Sequence, residues 1–84
     1  MKVLDFYADW CNPCKSLAPI LDKVIEEKGL TLTKVNIEED QEDLSLKYNV
    51  RNIPTVVVID ENDNVIKRFS GMKNENDVRE FLTL

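Results

Sequence analysis

Hydrophobic and polar positions in the first half of the chain predict a strand, a helix and a second strand. Residues 3–7 are rich in β-forming side chains and almost continuously apolar, which is typical of a strand buried on both faces. Apolar residues then recur at the spacing of one helical face, at Leu17, Ile20, Leu21, Val24 and Ile25. Residues 31–37 predict a second strand, in which Leu32 lies on the opposite face from Thr33, Val35 and Ile37.

Two prolines and a glycine mark positions within the predicted helix. Pro13 lies in the first turn, where a missing backbone N–H is tolerated. Pro19 lies inside the periodic run and predicts a kink, because it removes a backbone donor. Gly29 follows a charged turn and predicts the end of the helix.

The second half of the chain predicts a short helix and then a hairpin. Asp40 and Asp43 resemble a weak helix cap, followed by apolar positions at Leu44, Leu46 and Tyr48. The β-branched run at residues 54–59 is typical of a strand at the centre of a sheet. Residues 60–64 form a polar turn, and residues 65–69 alternate as the second arm of the hairpin.

A last helix follows the hairpin. Gly71 ends the second arm, and Asn74 is a predicted helix cap. The buried face of this helix should hold Val78, Phe81 and Leu82.

The elements follow the order β-α-β-α-β-β-α, which defines an α/β fold. The βαβ unit requires parallel strands, and the hairpin adds two antiparallel ones. We therefore expect a four-stranded mixed sheet covered by helices on both faces. A length of 84 residues favours a single domain spanning residues 1–84.

Composition and charge exclude several classes of function. The net charge of −5 argues against nucleic acid or an anionic membrane surface as the main partner. The chain has no His, which removes Cys–His and Ser–His nucleophile pairs. No run reaches the roughly 18 apolar residues that a membrane span needs. The first ten residues do not resemble a signal peptide, so we expect a cytoplasmic protein.

The pair Cys11 and Cys14 carries the strongest chemical signal. A structural zinc site has about four ligands, and this chain offers two thiols and no imidazole. Zinc or an iron–sulfur cluster would therefore require a dimer or carboxylate ligands, so we expect no metal. The pair follows a predicted strand and opens a predicted helix, where free amides stabilise a thiolate. We expect Cys11 to be the exposed nucleophile and Cys14 to lie buried beneath it. The alternative is a pair of inert, partly buried thiols.

The residues around this pair resemble those of a known family. Residues 6–15 (FYADWCNPCK) and 17–21 (LAPIL) resemble the active-site strand and helix of thioredoxins. Residues 34–37 (KVNI), 48–55 (YNVRNIPT) and 69–71 (FSG) resemble the next strand, the segment containing the cis-proline and a later glycine turn. The resemblance covers nearly the whole chain in the right order, and it includes Pro13 and Pro19.

The sequence departs from the family pattern in two ways. Asn12 stands where thioredoxins usually carry Gly. The strand and helix that precede the active-site strand in full-length thioredoxins are absent, so the chain resembles the minimal thioredoxin fold also seen in glutaredoxins. These departures leave the redox potential and the choice of partner open.

The resemblance implies roles for the residues of the dithiol centre. Cys11 would attack a substrate disulfide, and Cys14 would resolve the mixed disulfide. Asp5 matches the buried carboxylate that handles the proton of the resolving thiol; the alternative is an Asp on a frayed edge strand. Lys34 matches the lysine near that carboxylate, or is simply a solvated strand residue.

The resemblance also implies a substrate-binding surface. Pro54 matches the cis-proline that orders the substrate backbone; the alternative is a proline that begins a strand. Trp10, Ile53, Gly71 and Met72 would border an apolar groove, although ordinary loop packing explains Met72 equally well.

We therefore expect a monomeric thiol–disulfide oxidoreductase that acts on protein disulfides and needs no cofactor beyond its own dithiol. A thioredoxin-reductase-like enzyme would supply the electrons. One alternative is a glutaredoxin-like protein recharged by glutathione, which the short chain favours. Another is a thioredoxin-fold docking subunit whose redox activity is incidental.

Overall fold

A four-stranded mixed sheet lies at the centre of the computed structural model, which describes all 84 residues. The strands are β1 (Lys2–Tyr7), β2 (Thr31–Asn36), β3 (Thr55–Ile59) and β4 (Val65–Ser70). Their order across the sheet is β2-β1-β3-β4. The β1–β2 pair is parallel and the other two pairs are antiparallel, which confirms the predicted sheet.

Three helices connect or follow the strands: α1 (Asn12–Lys28), α2 (Leu44–Lys47) and α3 (Glu75–Phe81). The predicted end of α1 is confirmed, because Gly29 adopts a left-handed φ of 63° and its amide donates to the carbonyl of Glu26. The predicted start of α3 is also confirmed, since the Asn74 side chain accepts a 2.8 Å hydrogen bond from the Asp77 amide. No helix has the length and apolar content that crossing a membrane requires.

Each face of the sheet is covered by helices, as the sequence predicts. On one face, α1 and α3 bury a cluster formed with Val3 of β1 and Val56 of β3. On the other face, Tyr48 and Leu44 cover Leu4, Phe6, Val57 and Ile59. Asp5 alternates with Leu4 and Phe6 along β1, so its side chain lies on the α1 side of the sheet.

The end of β2 and the cap of α2 differ from the sequence prediction. Strand β2 ends at Asn36, because the Asn36 side chain accepts the amide of Glu38 and begins a turn of 3-10 helix at Ile37–Glu39. Ile37 therefore belongs to this turn and not to the strand. Helix α2 has a single turn, and Asp40 alone caps it, by accepting the amides of Leu44 and Ser45 at 2.9 and 2.8 Å.

Leu46 is one of the apolar positions of the predicted short helix, and it is 81% exposed. Residues two apart in a helix point to different sides, so Leu44 and Leu46 cannot both face the sheet.

Candidate functional site

The two cysteines lie at the start of α1, where they form a disulfide with Cα atoms 5.3 Å apart. Cys11 is the cap residue and has extended backbone angles, while Cys14 lies in the first turn. Asn12 and Pro13, between them, begin the helix, and a proline fits there because first-turn amides have no partner within the helix. Pro19 lies further along α1.

The helix start directs backbone donors at Cys11. The amide of Cys14 donates a 3.3 Å hydrogen bond to Cys11 Sγ. The first turn contains no acidic side chain, so the positive end of the helix dipole is not neutralised there. Both features stabilise negative charge on the sulfur of Cys11 in the reduced protein.

The burial of Cys11 corrects one sequence expectation. Cys11 is 4% exposed and Cys14 is 5% exposed, so Cys11 is not the more open of the two. In the disulfide form both residues cluster with Ala8, and Ile37 and Ile53 pack against that cluster.

Asp5 lies behind the disulfide in the middle of β1, not at a frayed edge, and is 4% exposed. A cavity of about 210 Å³ is lined by Asp5, Cys14 and Lys34, together with Asp9 and Lys15. Burial raises the pKa of Asp5 from 3.8 to about 6, although the positive charge of Lys34 acts in the opposite direction. A carboxyl with this pKa can accept and return a proton near neutral pH.

Lys34 is the neighbour of Asp5 on the adjacent strand, but it forms its ion pair with another residue. The register of β1 and β2 places Lys34 directly beside Asp5. Its ammonium donates a 3.1 Å hydrogen bond to Asp22 of α1. The sequence analysis did not identify Asp22, because an acidic residue on the polar side of a helix carries no pattern of its own.

Of the predicted substrate-binding residues, Ile53 packs against the cysteine cluster, and only Trp10 and Ile53 share a cavity. The Ile53–Pro54 peptide bond is cis, as the resemblance implies, and the amide of Gly71 donates a 2.8 Å hydrogen bond to the carbonyl of Pro54. Trp10, which is 64% exposed, and Ile53 line a cavity of about 390 Å³. Met72 is exposed but does not line this cavity.

Two further residues hold the segment that leads to Pro54. The hydroxyl of Thr55 lies 2.6 Å from the carbonyl of Asn52 and 2.9 Å from the hydroxyl of Ser70. On β4, the guanidinium of Arg68 donates to the carbonyl oxygen of Tyr48 at 2.6 Å and to that of Asn49 at 3.3 Å. The strand pattern gave no signal for Arg68, whose partners lie about 20 residues earlier in the chain.

The structure places no group of three or more His, Cys, Asp or Glu side chains where they would hold a metal ion. The reactive groups that the structure brings together here are the Cys11–Cys14 sulfur pair and the Asp5 carboxyl.

An α/β fold with a four-stranded mixed sheet, a disulfide at the start of a helix and a nearby cis-proline defines a thioredoxin-fold protein. A family model described as Thioredoxin matches residues 1–84. The chain belongs to the thioredoxin family.

Individual relatives agree with this assignment. The chain is 44% identical to Thioredoxin-T of Drosophila melanogaster over 77 residues, which cover 89% of this chain and 48% of that protein. It is 40% identical to a thioredoxin of Mycoplasmoides gallisepticum, covering 95% of this chain and 79% of that one. The structure of a mutant thioredoxin from Halobacterium salinarum superposes with a TM-score of 0.85 at 30% identity, covering 96% of this chain and 70% of that one.

The chain spans about half the length of several relatives, including Thioredoxin-T and the mitochondrial thioredoxin of Bos taurus. Family membership and the Cys11–Cys14 pair together support thiol–disulfide oxidoreductase chemistry at this site.

Proposed function

We propose that this chain reduces disulfide bonds in other proteins through its Cys11–Cys14 pair. The observation that carries the proposal is the position of the pair at the start of α1, with the Cys14 amide 3.3 Å from Cys11 Sγ. That donor and the helix dipole favour the thiolate of Cys11, which is the attacking form.

The reaction proceeds in two exchanges. The Cys11 thiolate attacks one sulfur of the substrate disulfide, forms a mixed disulfide and releases the other substrate sulfur as a thiolate. The Cys14 thiolate then attacks Cys11 Sγ, which closes the Cys11–Cys14 disulfide and releases the second substrate thiolate. Two electrons pass to the substrate, and both of its thiolates take up protons.

Asp5 serves the second exchange. Cys14 must lose its proton before it attacks, and Asp5 lines the same cavity behind it. The raised pKa of Asp5, about 6, keeps this carboxyl able to take that proton near neutral pH. Lys34 lies beside Asp5 on the neighbouring strand, and its positive charge limits the rise in the pKa of Asp5.

The substrate binds on the opposite side, where Trp10 and Ile53 border an open cavity. Pro54 and Gly71 present a backbone segment to the substrate, and Met72 extends the exposed apolar surface. An exposed Trp at such an edge offers a large contact area to a partner.

The proposal extends to the partners and the compartment. A thioredoxin-reductase-like enzyme recharges the disulfide, and the chain works in electron transport as a cytoplasmic monomer. This function requires a reducing compartment, in which Cys11 and Cys14 are kept as the dithiol that attacks a substrate disulfide. The net charge of −5 supports protein partners and neither nucleic acid nor an anionic membrane.

Insulin reduction tests the activity and its electron donor together. The reduced chain should precipitate insulin with NADPH and thioredoxin reductase, and Cys11→Ser should abolish the reaction. Cys14→Ser should trap a mixed disulfide with insulin. Faster turnover with glutathione and glutathione reductase would favour a glutaredoxin-like protein. Undiminished cellular function of a Cys11→Ser, Cys14→Ser variant would favour a docking subunit.

A further inference from the structure

Asp22 has no part in the exchange described above, yet it holds a lysine that lines the cavity of the buried carboxyl. Lys34 is aligned with Asp5 across the β1–β2 pair, and both side chains lie on the α1 side of the sheet. The ammonium of Lys34 donates its hydrogen bond to Asp22 of α1 at 3.1 Å. The hydrogen bonds and ion pairs of Lys34 include none to Asp5.

We propose that Asp22 is a positioning residue: by holding Lys34 in an ion pair, it keeps the ammonium from pairing with Asp5 and so preserves the basicity of Asp5 toward the Cys14 thiol. The inference rests on the role of Asp5 in the proposed function.

The surroundings of Asp5 leave few other charges to act. Helix α1 contributes Cys14 and Lys15 to the cavity lining, and β2 contributes Lys34, whose ammonium pairs with Asp22 of α1. Tyr7 at the end of β1 and Asp9 just after it complete the polar part of the lining. Strand β3 places Val56 beside Asp5, and α3 contributes the apolar side chains of Val78 and Leu82 to this face of the sheet. Of the two lysines at the cavity, Lys34 is the one whose charge acts on the pKa of Asp5, and its ammonium is held by Asp22.

Electrostatics give the expected direction. A positive charge near a carboxylate favours its charged form and lowers its pKa, whereas a nearby negative charge raises the pKa. The negative charge of Asp22 therefore raises the pKa of Asp5, and the positive charge of Lys34 lowers it. Removing Asp22 should therefore lower the pKa of Asp5 for two reasons. The repulsion between the two carboxylates is lost, and Lys34 is released to approach Asp5.

Because the Lys34–Asp22 ion pair is exposed, an effect of Asp22 on the pKa of Asp5 can be distinguished from an effect on folding stability. The side chains of Lys34 and Asp22 are 42% and 49% exposed, and exposed pairs contribute little to folding stability. Asp22→Asn should therefore leave the melting temperature almost unchanged while it changes the titration of Asp5.

The experiment is an NMR titration of the Asp5 side-chain carboxyl carbon in four forms of the reduced protein: wild type, Asp22→Asn, Lys34→Gln and the double variant. We expect Asp22→Asn to lower the pKa of Asp5 by roughly half a unit to one unit. In the Lys34→Gln background the same substitution should produce a clearly smaller shift. Asp22→Glu should restore the wild-type pKa. Asp63→Asn, which breaks the exposed Lys47–Asp63 pair at the turn of the β3–β4 hairpin, is the control.

An unchanged pKa of Asp5 in Asp22→Asn would overturn the proposal. An equal shift with and without Lys34 would also overturn it, because Asp22 would then act by its own charge alone. The rate of mixed-disulfide resolution, measured by stopped flow at pH 7, should fall about twofold in Asp22→Asn, as expected for a weaker base. A Lys34-dependent pKa shift with an unchanged resolution rate would support the ion-pair proposal and overturn the role of Asp5 in the proposed function.

Discussion

The backbone amide of Cys14 points at the sulfur of Cys11 across 3.3 Å within the first turn of α1. The donor therefore belongs to one cysteine and the stabilised sulfur to the other. Cys11 is also the cap residue, where the helix dipole favours an anion most. The pair is thus asymmetric in its electrostatics even though both residues are similarly buried.

This asymmetry predicts that Cys11 is alkylated before Cys14 in the reduced protein near neutral pH. The thiolate is the reactive form, and the helix start favours it at Cys11. Brief iodoacetamide treatment followed by peptide mass mapping measures the order. The single variants Cys11→Ser and Cys14→Ser give the rate of each thiol alone, and faster labelling of Cys14 would reverse the assignment.

Asp5→Asn should stabilise the protein at neutral pH. The pKa of Asp5 is raised from 3.8 to about 6 by burial, so the folded state binds a proton more tightly than the unfolded chain. The stabilisation that this tighter proton binding gives the folded state is complete below about pH 4, and it is lost as the pH rises through about 6. The ionised carboxyl then costs about 3 kcal/mol, which Asn avoids.

Urea unfolding from pH 4 to 8 measures this effect. The wild type should lose stability across the window, and Asp5→Asn should show a flatter profile. Asp9→Asn, which removes an exposed carboxyl near the same cavity, is the matched control. A variant that is less stable than the wild type at pH 7 would contradict the prediction.

Asp5→Asn should also slow resolution of the mixed disulfide more than its formation. Formation depends on the thiolate of Cys11, whereas resolution depends on proton loss from Cys14 beside Asp5. General-base contributions of this kind are typically about a hundredfold or more, so the second phase should slow clearly. Stopped-flow traces with separate phases for attack and release decide the matter. Equal slowing of both phases would assign Asp5 no special part in the second.

Arg68→Met should weaken substrate binding more than it slows turnover. Arg68 holds the carbonyls of Tyr48 and Asn49, and residues 50–53 of the following segment line the cavity beside Trp10. We expect a stability loss of about 1 kcal/mol from the lost charged hydrogen bonds and a raised KM for insulin.

Arg79→Met provides the control for Arg68→Met. Arg79 lies on α3, where it pairs with Glu27 and Glu75, and it does not line the cavity beside Trp10. This substitution therefore removes a guanidinium without releasing the carbonyls or changing the binding surface. Arg68→Lys should recover part of the effect, since an ammonium still reaches one carbonyl. An unchanged KM in Arg68→Met would show that Arg68 does not shape the binding surface.

The features predictable from the sequence are those set by near neighbours. Gly29 and Asn74 bond within a few residues of themselves, so their helix boundaries are visible in the local sequence. The Cys11–Cys14 spacing likewise places both sulfurs in one helical turn. Family resemblance added the site residues that no local pattern distinguishes, such as Asp5 and Pro54.

The missed features depend on contacts between distant parts of the chain. Asp22 meets Lys34 only because β2 returns parallel to β1 beneath α1. Arg68 alternates like any strand residue, and its role arises because β4 lies next to the end of α2. Ile37 fits the alternation of β2, but the side chain of Asn36 turns the backbone before the strand reaches it.

The two cavities at the disulfide share no lining residue and lie against opposite faces of the sheet. A partner that contacts Trp10 therefore meets a different cavity from the one beside Asp5. In the proposed reaction, electrons leave the sulfur pair toward the substrate on one side of the sheet, and the proton of Cys14 leaves toward Asp5 on the other.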